Sequence, residues 1–306
     1  MKNYLIATGL LAGLSITAQA GPPMAPVAAT PDAFANAITP ISNPTFHGNA
    51  LPKTNIHGIY MYHKLPDQIS AAGTKVPVGG DVNIFAVQLE YAFNERISLI
   101  ATKDGYVDFN PDKSVPQATG FANLAAGLKY AFIYDPTNEF VLSGSGVIEV
   151  PTGNRDVYQG YGDGAANLIM SALKLHDGWQ FSGALGTRLP FDGREESTTA
   201  FLSGHVSYHV TEKFVPLLEL NWFRVLSEGE GQGANLGQLL EFDGLDLINF
   251  GSKDGRVNKD TVTLAAGARY KFTDCVNVGA AYEIPLTNDE DGLTDSRITL
   301  DIVWTF

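Results

Sequence analysis

Residues 296–306 read SRITLDIVWTF. Taken two at a time, Ile298, Leu300, Ile302, Trp304 and Phe306 fall on one face. Arg297, Thr299, Asp301 and Thr305 fall on the other, with Val303 the one apolar residue among them. Side chains alternate across a strand, so this period of two describes a β-strand with an apolar medium on one side and a polar one on the other. A strand of about ten such residues, tilted, crosses an outer membrane.

The same pattern recurs upstream. From Thr54 onward about twelve segments alternate in this way, the number and length that suit an up-and-down transmembrane barrel. They are 54–63, 82–93, 96–108, 121–132, 139–150 and 165–175, then 179–190, 199–210, 213–226, 259–272, 275–286 and 296–306. Short connections (94–95, 133–138, 176–178, 211–212, 273–274) take turns with longer ones (64–81, 109–120, 151–164, 191–198, 227–258, 287–295). Short periplasmic turns and longer extracellular loops produce this alternation, with both chain ends in the periplasm. The expected fold is therefore all-β: a transmembrane antiparallel barrel in the bacterial outer membrane.

Strands running towards the periplasm end on an aromatic-x-Phe signature: Tyr91-Ala92-Phe93, Tyr130-Ala131-Phe132, Tyr270-Lys271-Phe272 and Trp304-Thr305-Phe306. Tyr208-His209-Val210 is a variant of it. These rings are expected to form a girdle, with the ring body in lipid and its polar edge among headgroups. The last strand, with its terminal Phe306, resembles the C-terminal signal read by the outer-membrane barrel assembly machinery, which implies that machinery as a partner.

Composition agrees and excludes other classes. A mean hydropathy of -0.01, with no long apolar run after the first twenty residues, excludes a bundle of membrane helices, which needs about 20 apolar residues per span. Cys275 stands alone, so an intramolecular disulfide and a thiolate metal cluster are excluded. A net charge of -13 argues against nucleic acid as a partner. No phosphate-binding glycine loop is present, since Gly229-Glu230-Gly231-Gln232-Gly233 lacks the Lys-Ser/Thr that should follow. No cofactor and no metal site is expected. Residues 1–20 read as a signal peptide: Lys2, an apolar run from Leu5 to Ile16, then Ala18-Gln19-Ala20. Residues 21–53 have no period and are rich in Pro, Ala and Asn; they read as a periplasmic lead-in, tail-like or partly a plug, ahead of a barrel over 54–306.

With the aromatic face towards lipid, the opposite face carries Gln88, Asn123, Glu90, Lys129, Glu149, Arg188, His205, His209, Glu219, Arg269, Lys271, Glu283, Arg297 and Asp301. A charge turned to mid-bilayer lipid costs about 2–4 kcal/mol, so these belong inside. They describe either a hydrated passage or an ionic network that fills the barrel. The acid excess lies elsewhere: the longer loops hold about -11 of the net charge, as expected of solvated surface loops bridged to lipopolysaccharide by divalent cations or, alternatively, of a cation-attracting mouth. Asp289-Glu290-Asp291 lacks the remaining ligands of an EF-hand, with Thr287 and Ile298 at its ends.

Catalysis is not expected. His205 and His209 stand about 13 Å apart along one strand, too far for one metal. Ser207 lies between them, but neighbours on one strand face are expected to diverge, and no G-x-S-x-G elbow occurs. An outer-membrane lipid hydrolase using Ser207 or His209 is the one enzymatic alternative, and a structural or adhesive barrel the other.

Several stretches resemble the Gram-negative outer-membrane family labelled after the meta-pathway of phenol degradation. They are Gly80-Asp81-Val82-Asn83, Ala86-Val87-Gln88-Leu89-Glu90-Tyr91, Ala101-Thr102-Lys103-Asp104-Gly105-Tyr106, Asn123-Leu124-Ala125-Ala126-Gly127-Leu128-Lys129-Tyr130 and Glu149-Val150-Pro151-Thr152-Gly153. The resemblance implies a barrel that takes up a small aromatic or hydrophobic solute, and it assigns no binding residue. Lys103-Asp104-Gly105 reads as a local turn or bulge within its strand.

Overall fold

The computed structural model describes residues 32–306; the signal-like residues 1–20 and the lead-in up to residue 31 lie outside the described residues. Sixteen strands are present: β1 Asn55–Lys64, β2 Gln68–Ala71, β3 Thr74–Pro77, β4 Gly80–Ala92, β5 Ile97–Lys103, β6 Tyr106–Pro111, β7 Ala118–Phe121 and β8 Leu124–Asp135. They continue as β9 Phe140–Val150, β10 Ala165–His176, β11 Trp179–Pro190, β12 Thr198–Tyr208, β13 Phe214–Ser227, β14 Asp260–Lys271, β15 Val276–Pro285 and β16 Ser296–Thr305. Each pairs antiparallel with its neighbour, and β1 pairs with both β16 and β4, which closes the sheet. β5 with β6 and β7 with β8 each form one interrupted staff, so the closed wall has twelve strands.

The period of two becomes burial directly. In β16, Ile298, Leu300, Ile302 and Trp304 are exposed, whereas Arg297, Thr299, Asp301 and Val303 are buried. All eight aromatic-x-Phe rings point outward, and they pack in pairs: Tyr91–Phe93 at 5.3 Å, Tyr130–Phe132 at 5.3 Å, Tyr270–Phe272 at 5.1 Å and Trp304–Phe306 at 5.0 Å. Tight turns close the opposite ends of the strands from the long loops. At Asp177-Gly178 both central residues have positive φ (50° and 80°), the geometry a two-residue hairpin needs and Gly supplies at no steric cost.

Two expectations of loop structure require correction. The 64–81 connection is not wholly irregular, because β2 and β3 form a hairpin in it. The 227–258 connection is not simply a solvated acidic loop: Asp243 and Asp246 are buried. Apolar residues of several connections (Leu65, Val157, Leu240, Phe242, Phe250, Leu293) gather with Val107 and Phe109 of the wall into one cluster, which roofs the extracellular end. Exclusion of those side chains from water draws the roof together and turns Asp246 inward.

The wall itself is uneven. From β8 through β16 to β1 the ladders run the length of the strands, with single register shifts at Ala131/Ile133 and Thr198/Thr199; β10 and β11, for example, pair from Ala165↔Pro190 to His176↔Trp179. On the other side β4 pairs with β6 only as far as Phe85↔Tyr106 and resumes with β5 at Leu89↔Ala101. Asp104-Gly105 and Ala122-Asn123 interrupt the next two staves, and the β5–β8 register slips at Lys103. Gly105, at φ +124°, takes a conformation that other residues avoid, and an added Cβ would meet the Phe85 carbonyl oxygen at 2.8 Å.

Candidate functional site

Residues 33–53 lie against the inward-facing side chains of the wall. Apolar side chains seat first: Phe34, Ala50 and Leu51 pack with Ala131, Val141 and Leu173, and Ile38 and Ile41 with Val215, Leu217 and Ala265. Phe46 stacks on Phe201 at 4.5 Å. Polar groups then fix the register. Gln180 accepts the Ile38 N–H and donates to the Ile38 carbonyl, both at 2.8 Å. The Glu219 carboxylate accepts the N–H of Ile41 (2.9 Å) and of Ser42 (2.7 Å). A buried segment without secondary structure must place its backbone groups somewhere, and inward side chains take the part that a sheet would otherwise play. A flexible tail therefore does not describe residues 33–53.

The predicted inward residues fall into several groups. Arg297 joins three parts of the molecule: Nε donates to Glu283 (2.7 Å), Nη1 to Asp246 of the roof (3.0 Å) and Nη2 to the Ser42 carbonyl (2.8 Å). Asp301 accepts from Arg269 at 2.7 Å and lies 2.7 Å from His57 Nε2. Glu149 takes Lys103 at 2.7 Å and Arg188 at 3.2 Å, and Arg188 also holds Glu196 at 2.6 Å. Lys129 donates to Glu90 at 2.9 Å and to the Asn49 carbonyl at 2.7 Å. His209 and Lys271 sit at the periplasmic rim, both reaching Asn36. Partners for these charges are thus present within the wall, the roof and the 33–53 segment.

Glu196 lies on the 191–197 connection. Burial pushes its carboxyl up to about 7, against the pull of Arg188, because Arg188 is shared with Glu149. Asp243, fully enclosed in the roof, is likewise raised by burial, although the Phe250 and Gly244 N–H groups donate to it. The Asp289-Glu290-Asp291 cluster is occupied by its neighbours: Glu290 holds Lys75 and Gln68, and Asp291 holds Ser70 and Asn288.

Sequence reasoning placed Ser207 and His205 apart. The structure brings His205 Nε2 to 3.0 Å from Ser207 Oγ and Nδ1 to 2.8 Å from Glu219. Residues two apart on a strand face are roughly 7 Å apart in backbone, a gap that an imidazole laid along the strand bridges.

Two adjoining cavities lie on the interrupted side; a smaller pocket sits against Phe223, Val225, Asp243 and Leu245 under the roof, and another opens at the turn end beside Ala33, Asn36 and His209. The upper of the adjoining pair lies under the roof and is lined by Ile59, Met61, Val82, Ile84, Val107 and Phe109, with Lys103, Asp104 and Asp246 also lining it. The lower one is more polar and reaches Asn55, His57, Glu90 and Lys129. Among the predicted inward charges, Glu90 and Lys129 alone line either cavity. Outside the barrel a groove lined by Phe85, Val87, Tyr106, Phe121 and Leu124 shares Asp104 and Ala122 with the upper cavity. Sequence reading missed this cavity's lining, and the signal for it was the Lys103-Asp104-Gly105 interruption.

A closed twelve-stranded wall, aromatic pairs outside, short turns at one end and a looped roof at the other define an outer-membrane β-barrel. The family model described as the putative MetA-pathway of phenol degradation matches residues 74–284, and the chain belongs to that family. Its fold is similar to that of the COG4313 outer membrane channel from Pseudomonas putida F1, at a TM-score of 0.58 and 15% identity over 83% of this chain and 96% of that one. The NanC porin matches at 0.50 and 7% identity, over 83% of this chain and 100% of that one. No curated protein matches the chain by sequence.

Proposed function

We propose that this barrel is an uptake channel for a small, apolar solute, aromatic rings included. The upper cavity carries this reading: its lining is mostly apolar, and it shares Asp104 and Ala122 with a groove on the membrane face. An apolar solute crossing the surface layer is held under the roof or reaches the cavity sideways, through the wall where the ladder is interrupted. In this reading residues 33–53 are a plug, and the inward charges, Glu149, Arg188, Glu219, Arg269, Glu283, Arg297 and Asp301 among them, hold plug and wall together. The family's description, phenol degradation, supports an aromatic solute, and the name of the similar P. putida protein supports a channel.

Binding of an apolar fluorophore such as N-phenyl-1-naphthylamine to the purified barrel tests the reading. Ile84→Trp fills the cavity and is expected to abolish binding and uptake of apolar aromatics. Unchanged uptake with the cavity filled would sink it.

The Ser207–His205–Glu219 chain raises a hydrolase reading, which its surroundings disfavour. Ser207 is 2% exposed and none of the three lines a cavity. Glu219 is taken up by the backbone of Ile41 and Ser42. A substrate carbonyl has no room beside the hydroxyl. We read the trio as structural and the protein as a non-enzyme. Outer-membrane lipids and lipopolysaccharide against the aromatic pairs and acidic loops, and the assembly machinery on the final strand, complete the proposed partners.

A further inference from the structure

The two cavities meet at one place. Pro44, Thr45, Gln88 and Thr102 line both of them, so these four residues are the partition between the space under the roof and the space that leads down the barrel. Pro44 and Thr45 belong to the inserted segment, Gln88 to the unbroken strand β4 and Thr102 to the bulged end of β5. One side chain ties the three together. Gln88 Nε2 donates to the Pro44 carbonyl at 2.9 Å and to the Thr102 carbonyl at 2.6 Å. Both of its amide hydrogens are thereby used, each on a backbone oxygen.

The reason lies in the interrupted wall. Where β4 loses its neighbour between Phe85 and Leu89, the freed backbone groups take side-chain partners instead. On the lipid side the Val87 N–H donates to Asp104 at 2.9 Å. On the lumen side Gln88 answers the Thr102 carbonyl and, with its second hydrogen, draws in Pro44. The other grips on the segment are buried: Glu219 and Arg297 bond to it with charge assistance, and Gln180, though neutral, is fully enclosed. Gln88 is partly exposed to open space on both sides and its bonds are neutral. A neutral amide that is open to space on both sides is the easiest of these bonds to break and re-form.

We propose that Gln88 is the gate residue between the two cavities. With its amide bridging Pro44 and Thr102 the path is closed; when the side chain swings away, the two cavities become one. The rest of the inserted segment stays anchored by Glu219, Gln180 and Arg297, so passage needs a side-chain motion and not ejection of the segment. This inference rests on the channel reading.

Planar-bilayer recordings of the full-length barrel test it. Gln88→Ala removes both bonds and Gln88→Glu sets a carboxylate against two carbonyl oxygens, so each is expected to raise open-state occupancy about tenfold or more at neutral pH. Gln88→Glu should close again in acidic buffer, at about pH 4–5 or below, where a protonated carboxyl donates once more, while Gln88→Ala should not respond. Heat-modifiable gel migration establishes that each variant barrel is folded. Folded variants that conduct like the unmodified protein, or a Gln88→Glu variant indifferent to pH, would overturn the gate. Fluorophore binding to the unmodified protein is a separate readout: its absence removes the apolar-solute reading while the conductance result still decides the gate.

Discussion

The two sides of this barrel solve the same problem differently. From β8 round to β1 the ladders run the length of the strands and the interior is mostly filled: Glu219, Arg269, Glu283, Arg297 and Asp301 are paired and buried, and Glu219 and Arg297 hold the 33–53 segment. From β4 to β8 the ladders break, the interior holds two cavities, and side chains stand in for missing backbone partners. The difference shows that rigidity and access are separated around the circumference. A fully paired, ionic half holds the segment in place, which leaves the other half free to carry an apolar pocket with a weak wall.

Breaking the rigid half should have the largest effect. Arg297→Met leaves Glu283 and Asp246 buried without their cation and cuts the link to Ser42, at a cost of about 3–5 kcal/mol. Urea unfolding of the barrel in lipid vesicles measures it. Replacing all three partners by apolar residues should recover much of the loss, which would show that the charges set the arrangement more than the stability.

A smaller effect is expected where the filled side meets the roof. The Glu196 carboxyl sits at about 7 in the folded protein against 4.5 for an ordinary glutamate, so the folded state holds its proton more tightly than the unfolded state does. Its contribution is therefore most favourable below about pH 4.5 and is lost as pH rises towards 7, by roughly 3 kcal/mol at most. Glu196→Gln should flatten this part of the pH profile of stability. A profile that keeps its slope would assign it to another group.

The smallest effect sharpens the other half. Asp104→Ala leaves the Val87 N–H without its acceptor in the weak wall, costing about 1–2 kcal/mol. Because the loss falls beside the upper cavity, hydrogen exchange should rise at residues 86–88 and stay unchanged on β10 and β11.

The wall was readable from sequence because its information is local. Alternation at residues 296–306 states which side chains face lipid, and the aromatic-x-Phe endings repeat that statement on other strands. Even the interruption left a trace, a charged pair beside Gly105 in the middle of an otherwise regular strand. Pairing inside the barrel left none. Nothing near Arg297 indicates that its partners are Glu283, Asp246 and the Ser42 carbonyl, because those choices depend on closure of the sheet. Residues 33–53 were opaque for the same reason: a segment without a period takes its shape from the surface it meets. The meeting of Ser207 with His205 was missed because a strand rule for backbones was applied to a side chain long enough to lie along it.

The Ser42–Arg297 bond spans 255 residues, the Ile41–Glu219 bond 178 and the Ile38–Gln180 bond 142. Residues 33–53 are made before any of these partners exists, and the β1–β16 seam joins residues just as distant, Asn55 with Thr305. Contacts so distant in sequence form slowly, and the early residues must wait unpaired while the wall is built around them. Assembly is therefore a race between closing the seam of β1 with β16 and bringing the segment inside. A barrel that zips first would leave residues 33–53 on the wrong side of the wall.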